Sequence, residues 1–255
     1  MGPLRAWLAA GLVVAQLLGC ASGPRNERSV LAGNPARNLL ILPLNVAAVM
    51  PTALEAASPV VWEELEVYLR AQGKDLKTVS FRDARRLWIE SIKEVRAANA
   101  RAGYDEAARV LVGKLAHHAV FDAVIAPSLY LREARIEGRS ASWDGVERPL
   151  EIEAKERLSA SIPLEGAAPA ASLHAVVLDA QGNKLQEAIG GLELLVGARV
   201  LRKRASSPDA ITLEFTPRSE IFSRREHMQE GIALALAPFL PPLPSATNGD
   251  TGLRR

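Results

Sequence analysis

Cys20 is the only cysteine in 255 residues, and its surroundings make it the residue best placed to do chemistry. A lone thiol makes no internal disulfide and builds no multi-cysteine zinc site, so what remains is its nucleophilicity. It ends the stretch Leu17-Leu18-Gly19-Cys20, after an apolar run from Ala6 to Leu18 that is broken only by Gln16 and preceded by Arg5. The run falls short of the about 20 residues of a membrane span and has the proportions of a secretory h-region. Other candidates carry less. His117, His118 and Asp122 put a histidine and a carboxylate four apart with no third ligand nearby. A polar helix end accounts for them, and no metal or cofactor is expected. Glu63, Glu64 and Glu66 read as a carboxylate-rich helix opening, and Glu147, Glu151, Glu153 and Glu156 as the solvent face of a strand. Neither set has a second group to drive its pKa values apart for acid–base work. No nucleophile elbow, phosphate-binding loop or dinucleotide fingerprint occurs, so no catalytic residue is assigned and an enzyme is not expected. Arg199, Arg202, Lys203 and Arg204 form a basic cluster after a predicted strand, readable as a contact for anionic headgroups or peptidoglycan, or as a solvated loop.

The Leu-x-Gly-Cys ending resembles the bacterial lipoprotein signal. That resemblance implies a signal peptide over Met1–Gly19, cleavage before Cys20 and acylation of the Cys20 thiol. Two or three acyl chains on one residue anchor stably where a single chain is marginal. Ala21 and Ser22 follow the cysteine rather than aspartate. By similarity to lipoprotein sorting in bacteria with two membranes, this implies the outer membrane, with the domain facing the periplasm. The membrane, reached through Cys20, is therefore one expected partner. Nucleic acid is not: 31 basic against 29 acidic residues give a net charge of +2, too even for a dedicated basic face.

The rest of the chain must supply a domain for this anchor to hold. An apolar fraction of 48% and a charged fraction of 24% are those of a folded globular chain. Residues 20–37 lack periodicity and read as a flexible tether, residues 241–255 as a disordered tail, and residues 38–240 as a single domain. Leu39–Leu42 reads as a buried strand, and Val61, Leu65, Tyr68 and Leu69 as a helix stopped by Gly73. Leu76–Phe81 is a second strand. Ser80 with Asp83 opens the clearest helix, through Ala84, Leu87, Trp88, Ser91, Ile92 and Val95, and Tyr104–His118 continues as another. Asp122–Ile136 is a long strand whose apolar parity switches between Leu131 and Ala134, suggesting a bulge. Asp144-Gly145 signals a hairpin turn, Gly166–Ala171 a small-residue linker, and Gln181-Gly182-Asn183 a turn between strands. Gly190-Gly191 marks a bulge or a close backbone approach. Ser223 and Glu226 read as a capping box before a last helix with Met228, Ile232, Ala235 and Leu236 inward, closed by Pro241 and Pro242. The order predicts an α/β (α+β) sandwich, one mixed sheet with helices packed on it and an extended antiparallel hairpin.

Leu39–Leu44 and Leu173–Leu194, with Asp179-Ala180-Gln181-Gly182 at a hairpin, resemble envelope lipoproteins related to the N-terminal domain of the Tol-system propeller protein. The same fold occurs in the curli-secretion lipoprotein and in the lipoprotein activators of penicillin-binding proteins. The resemblance implies a non-enzymatic protein that acts by binding an unidentified envelope protein. A subunit of a secretion or transport assembly is the alternative, and a cell-wall or lipid hydrolase a further one. The oligomeric state stays open. The stretch from Arg135 to Ala170 exceeds the family's usual connection. Within it, Trp143 at the Asp144-Gly145 turn, flanked by Arg139 and Arg148, offers a hairpin tip that docks a partner, unless the hairpin folds back and packs Trp143 on its own domain.

Overall fold

A computed structural model describes residues 36–153, 165–202, 211–218 and 221–240. The compact unit that contains them begins at Ala36. Strand β1 (Asn38–Ile41) is buried on both faces, because Leu39 and Ile41 enter one hydrophobic core and Leu40 the other. A loop and the short helix α1 (Thr52–Glu55) lead into α2 (Ser58–Ala71), which turns Val61, Leu65, Tyr68 and Leu69 inward. Gly73 follows at φ +70°, a left-handed conformation that glycine adopts without a Cβ penalty. Strand β2 (Asp75–Thr78) pairs parallel to β1. Helix α3 (Phe81–Ala98) starts where the Ser80 hydroxyl accepts the Asp83 N–H at 3.1 Å, and α4 (Tyr104–Ala116) packs beside it. Strand β3 (Ala123–Glu137) then pairs parallel to the other edge of β1. The β1-to-β2 crossover lies on one face of the sheet with α2, and the β2-to-β3 crossover on the opposite face with α3 and α4.

The second half is antiparallel. Strands β4 (Ser140–Trp143) and β5 (Val146–Pro149) form a hairpin off the far end of β3, through Asp144 and Gly145, both at positive φ. After β6 (Ile152–Glu153), β7 (Glu165–Asp179) pairs with β3 from Ala123↔Asp179 to Glu137↔Glu165. Strand β8 (Lys184–Leu194) pairs with β7, making a seven-stranded mixed sheet; β9 (Val196–Arg202), β10 (Ile211–Pro217) and β6 form a separate three-stranded one. Helix α5 (Arg225–Leu236) closes the face already covered by α2. This is the α/β sandwich that the element order predicts: one mixed sheet, helices on both faces, and antiparallel hairpins at its long end.

Several local expectations change. Gly166–Ala171 is not a linker but half of β7, because the ladder to β3 extends through it. Ala168 and Ala170 are buried in a third core with Trp143 and Val146 of the β4–β5 hairpin. The β3–β7 register runs without a break past Leu131, so the parity switch there is not a bulge. It marks the passage from the helix-covered half of β3 to the half where Ala134 and Ile136 meet the hairpin. The bulges lie instead on β8, where the register to β7 shifts next to Ser172 and again next to Leu178. Helix α5 begins after Arg224, with no side-chain cap bond from that residue, and ends at Leu236, two residues ahead of Pro238. Pro241 and Pro242 lie outside the described residues.

Candidate binding cleft

The two crossovers leave β1 and β2 toward opposite faces of the sheet, and the chain separates where they diverge. Open sheets with parallel strands bind ligands at such a point, in the crevice beyond the carboxyl ends of the strands. Here a cleft of about 830 Å³ opens there. Its walls come from the loop after β1 (Pro43 to Met50), the start of α2 (Ser58, Pro59, Trp62) and the passage from β2 into α3 (Thr78 to Phe81, with Arg85). The loop is held from below. Asn45, buried and at φ +60°, accepts the Leu129 N–H on Oδ1 at 2.8 Å and donates from Nδ2 to the Leu129 carbonyl at 3.1 Å. From above, the Arg85 guanidinium donates to the Val46 carbonyl.

The rim is apolar and accessible. Val49 is 87% exposed and Phe81 54%, and both belong to the cleft wall. Ile89 continues the apolar line along α3, in a shallow groove shared with Arg82, Arg86, Lys93 and the single carboxylate Glu90. Exposed aliphatic and aromatic side chains gathered around a concavity and edged by cations mark a binding surface rather than scattered surface residues. Among the described residues, the ionisable groups of the cleft lining are Glu55 and Arg85. The cleft can therefore bind through apolar contact and the Arg85 charge.

The residues singled out from the sequence go elsewhere. Cys20 lies outside the described residues, as do Lys203, Arg204 and Glu156. Trp143 is not at an exposed tip. The hairpin folds back, the indole is 7% exposed, and its Nε1 donates to the Ala171 carbonyl at 3.2 Å. Arg148, also read as a partner contact, is 5% exposed and bonds the Glu230 carboxylate of α5 at 2.7 Å. Arg139 is exposed, and its backbone carbonyl accepts from Leu150 within the hairpin. Thus Trp143 and Arg148 pack on their own domain, as in the fold-back alternative for this hairpin. His117 and His118 are exposed at the end of α4. Asp122 turns away to accept the backbone N–H groups of Arg37 at 2.9 Å and Asn38 at 2.8 Å. Those bonds hold its carboxyl below the usual carboxylate range. Glu63, Glu64 and Glu66 sit a turn or more inside α2 rather than at its opening, and Glu64 pairs with Arg225 of α5 at 2.9 Å. Glu151 pairs with Arg218 and Arg224. Arg199 and Arg202 lie within β9 rather than after it.

Sequence reasoning missed the cleft because its walls are far apart in the chain and meet only through the crossover topology. Phe81 was the available signal, an aromatic residue at the first position of a helix whose inward face begins only at Ala84. Set beside known proteins, the chain matches no protein-family model, and none of the curated proteins matches it.

Proposed function

We propose that this chain is a lipid-anchored, non-enzymatic protein of the bacterial outer membrane, acylated on Cys20, whose periplasmic domain acts by binding another envelope protein through the cleft. The observation that carries the reading is the cleft beyond the carboxyl end of β1, with Val49 and Phe81 exposed on its wall. Among the described residues no helix is long and apolar enough to cross a membrane. The Leu-x-Gly-Cys ending supports attachment by lipid.

A photo-crosslinking amino acid placed at Phe81, in native envelopes, tests the reading. A discrete adduct is expected from position 81 and from Val49, and none from Glu133, which is exposed on β3 away from the cleft. Adducts of equal yield from all three positions, or none from any, overturn it. The crosslinked protein itself separates regulation of envelope assembly from membership of a secretion or transport assembly.

A further inference from the structure

A second cavity, of about 210 Å³, lies on the other side of the Pro43–Ala48 loop, between the sheet and the beginning of α4. Its volume is below that of sites for drug-sized ligands, roughly 300–1,000 Å³, so it selects something small. Leu111 and Val176 of its lining are buried, whereas Tyr104, Tyr130 and Glu187 are exposed at its mouth. Trp88, Tyr104 and Tyr130 line it together with His174 and Glu187. The Trp88 and Tyr104 rings are 5.3 Å apart, and Tyr130 meets His174 edge-on at 5.6 Å. Glu187 accepts from Lys184 Nζ at 2.8 Å and lies 3.1 Å from His174 Nε2. Lys184 also sits 3.8 Å from Asp105. Glu187 is thus the carboxylate of the lining, set between Lys184 and His174, with Asp105 beyond Lys184. The Lys184 ammonium holds the Glu187 carboxyl below its usual range, so it is charged at neutral pH. Burial first, then the negative charge of Glu187, pushes the Tyr104 phenol up to about 12, so that ring stays neutral. Ser128 stands opposite His174 in the β3–β7 ladder, but no hydrogen bond joins its hydroxyl to that histidine, so the contact that activates a serine nucleophile is not made.

Three electron-rich rings around a small apolar cavity, with an ionised carboxylate at its mouth, are the features that recognise a compact organic cation. We propose that this cavity binds a small organic ammonium ion, enclosed by Trp88, Tyr104 and Tyr130, with Glu187 as its counter-charge. The site is separate from the partner-binding cleft and does not depend on that reading.

Choline and 3,3-dimethylbutan-1-ol have nearly the same shape and differ in charge, which makes them the probe pair. Calorimetric titration of the intact protein, held in a maltoside detergent, is expected to show saturable choline binding about tenfold tighter than that of the neutral alcohol. Glu187→Gln should weaken choline by about fivefold or more, and Lys184→Met should strengthen it by removing the competing ammonium. Affinity for the alcohol should stay the same in both variants. Opposite effects of these substitutions distinguish a counter-charge from a structural role, which would move both ligands together. Equal affinity for the two probes, no saturable choline binding, or the same direction of change in both variants overturns the proposal.

Discussion

Trp143 is held by its neighbours rather than by its place in a turn. Its indole packs where a Cβ on Gly191 would come within 2.8 Å of Nε1, and its one polar atom is satisfied by the Ala171 carbonyl. Trp143→Ala is therefore expected to cost about 3–5 kcal/mol in chemical denaturation and to leave any adduct from position 81 intact in molecules that still fold. A variant as stable as wild type would mean the indole is not part of the core. Asp122 makes a different prediction, about acid. Its carboxylate is favoured in the folded state by the Asn38 and Arg37 backbone N–H groups, so its folded pKa lies below the unfolded value of about 3.9. A depressed pKa contributes stability that is present above the unfolded pKa and is lost as pH falls through the folded one. Wild type should thus be more stable than Asp122→Asn at pH 7, and the difference should shrink as the pH falls below about 4. A difference that is constant from pH 7 to pH 2.5 would assign the effect to shape rather than charge. At this scale the sequence identified which side chains carry unusual chemistry but not what they face. The neighbours of Trp143 and Asp122 come from β7, β8 and the start of β1, and no local pattern announces them.

Helix α5 crosses β8 at a point made of three glycines. A Cβ on Gly231 would lie 2.3 Å from the Gly191 carbonyl, and one on Gly190 would lie 2.0 Å from the Gly231 carbonyl. Backbone cannot yield as a side chain does, so Gly231→Ala must lift the helix off the strand. The lift would disturb the Gln186 bonds to the Ala235 and Ala237 carbonyls, and the contact of His227 Nδ1 with the buried Glu193 carboxylate at 3.0 Å. A loss of at least about 2–3 kcal/mol is expected. Gly113 is the counterpart: it sits inside α4 with nothing within 4 Å of an added Cβ. Gly113→Ala should raise stability by about 0.5–1 kcal/mol. Thermal melts of the two variants should move in opposite directions, and a harmless Gly231→Ala would discredit the close crossing. The double glycine at 190 and 191 was legible as a close approach, but its partner Gly231 was not, since one glycine in a helix has many explanations. Helices α2, α3 and α4 were legible because each buries one stripe at helical spacing, and β1 because its apolar run is uninterrupted. The alanine half of β7 was not, because alanine has little strand preference of its own and the ladder to β3 decides. Strand β10, by contrast, was legible and went unread: Ile211, Leu213 and Phe215 alternate with Thr212, Glu214 and Thr216, and the strand pairs with β9.

At the scale of the whole molecule, the proposed function divides the work between anchor and cleft. Fifteen residues, Ala21 to Pro35, span at most about 54 Å when fully extended. On that proposal, tethering rather than binding strength sets the effective concentration at which a partner meets the cleft. Among the described residues the cores are built from Ala36 onward, and the domain is expected to fold without the anchor. These two statements give a joint prediction. Cys20→Ala is expected to leave an unprocessed precursor that incorporates no labelled fatty acid. A second version, exported with an ordinary cleavable leader and lacking Cys20, should fold with an unchanged melting temperature yet give a much weaker adduct from position 81. Raising the amount of that soluble version should restore the adduct by mass action, because the cleft is intact and only its local concentration has fallen. Equal fatty-acid labelling of wild type and Cys20→Ala would end the lipoprotein proposal. An adduct undiminished in the soluble version would leave the lipid in place but remove its role in bringing the cleft to its partner.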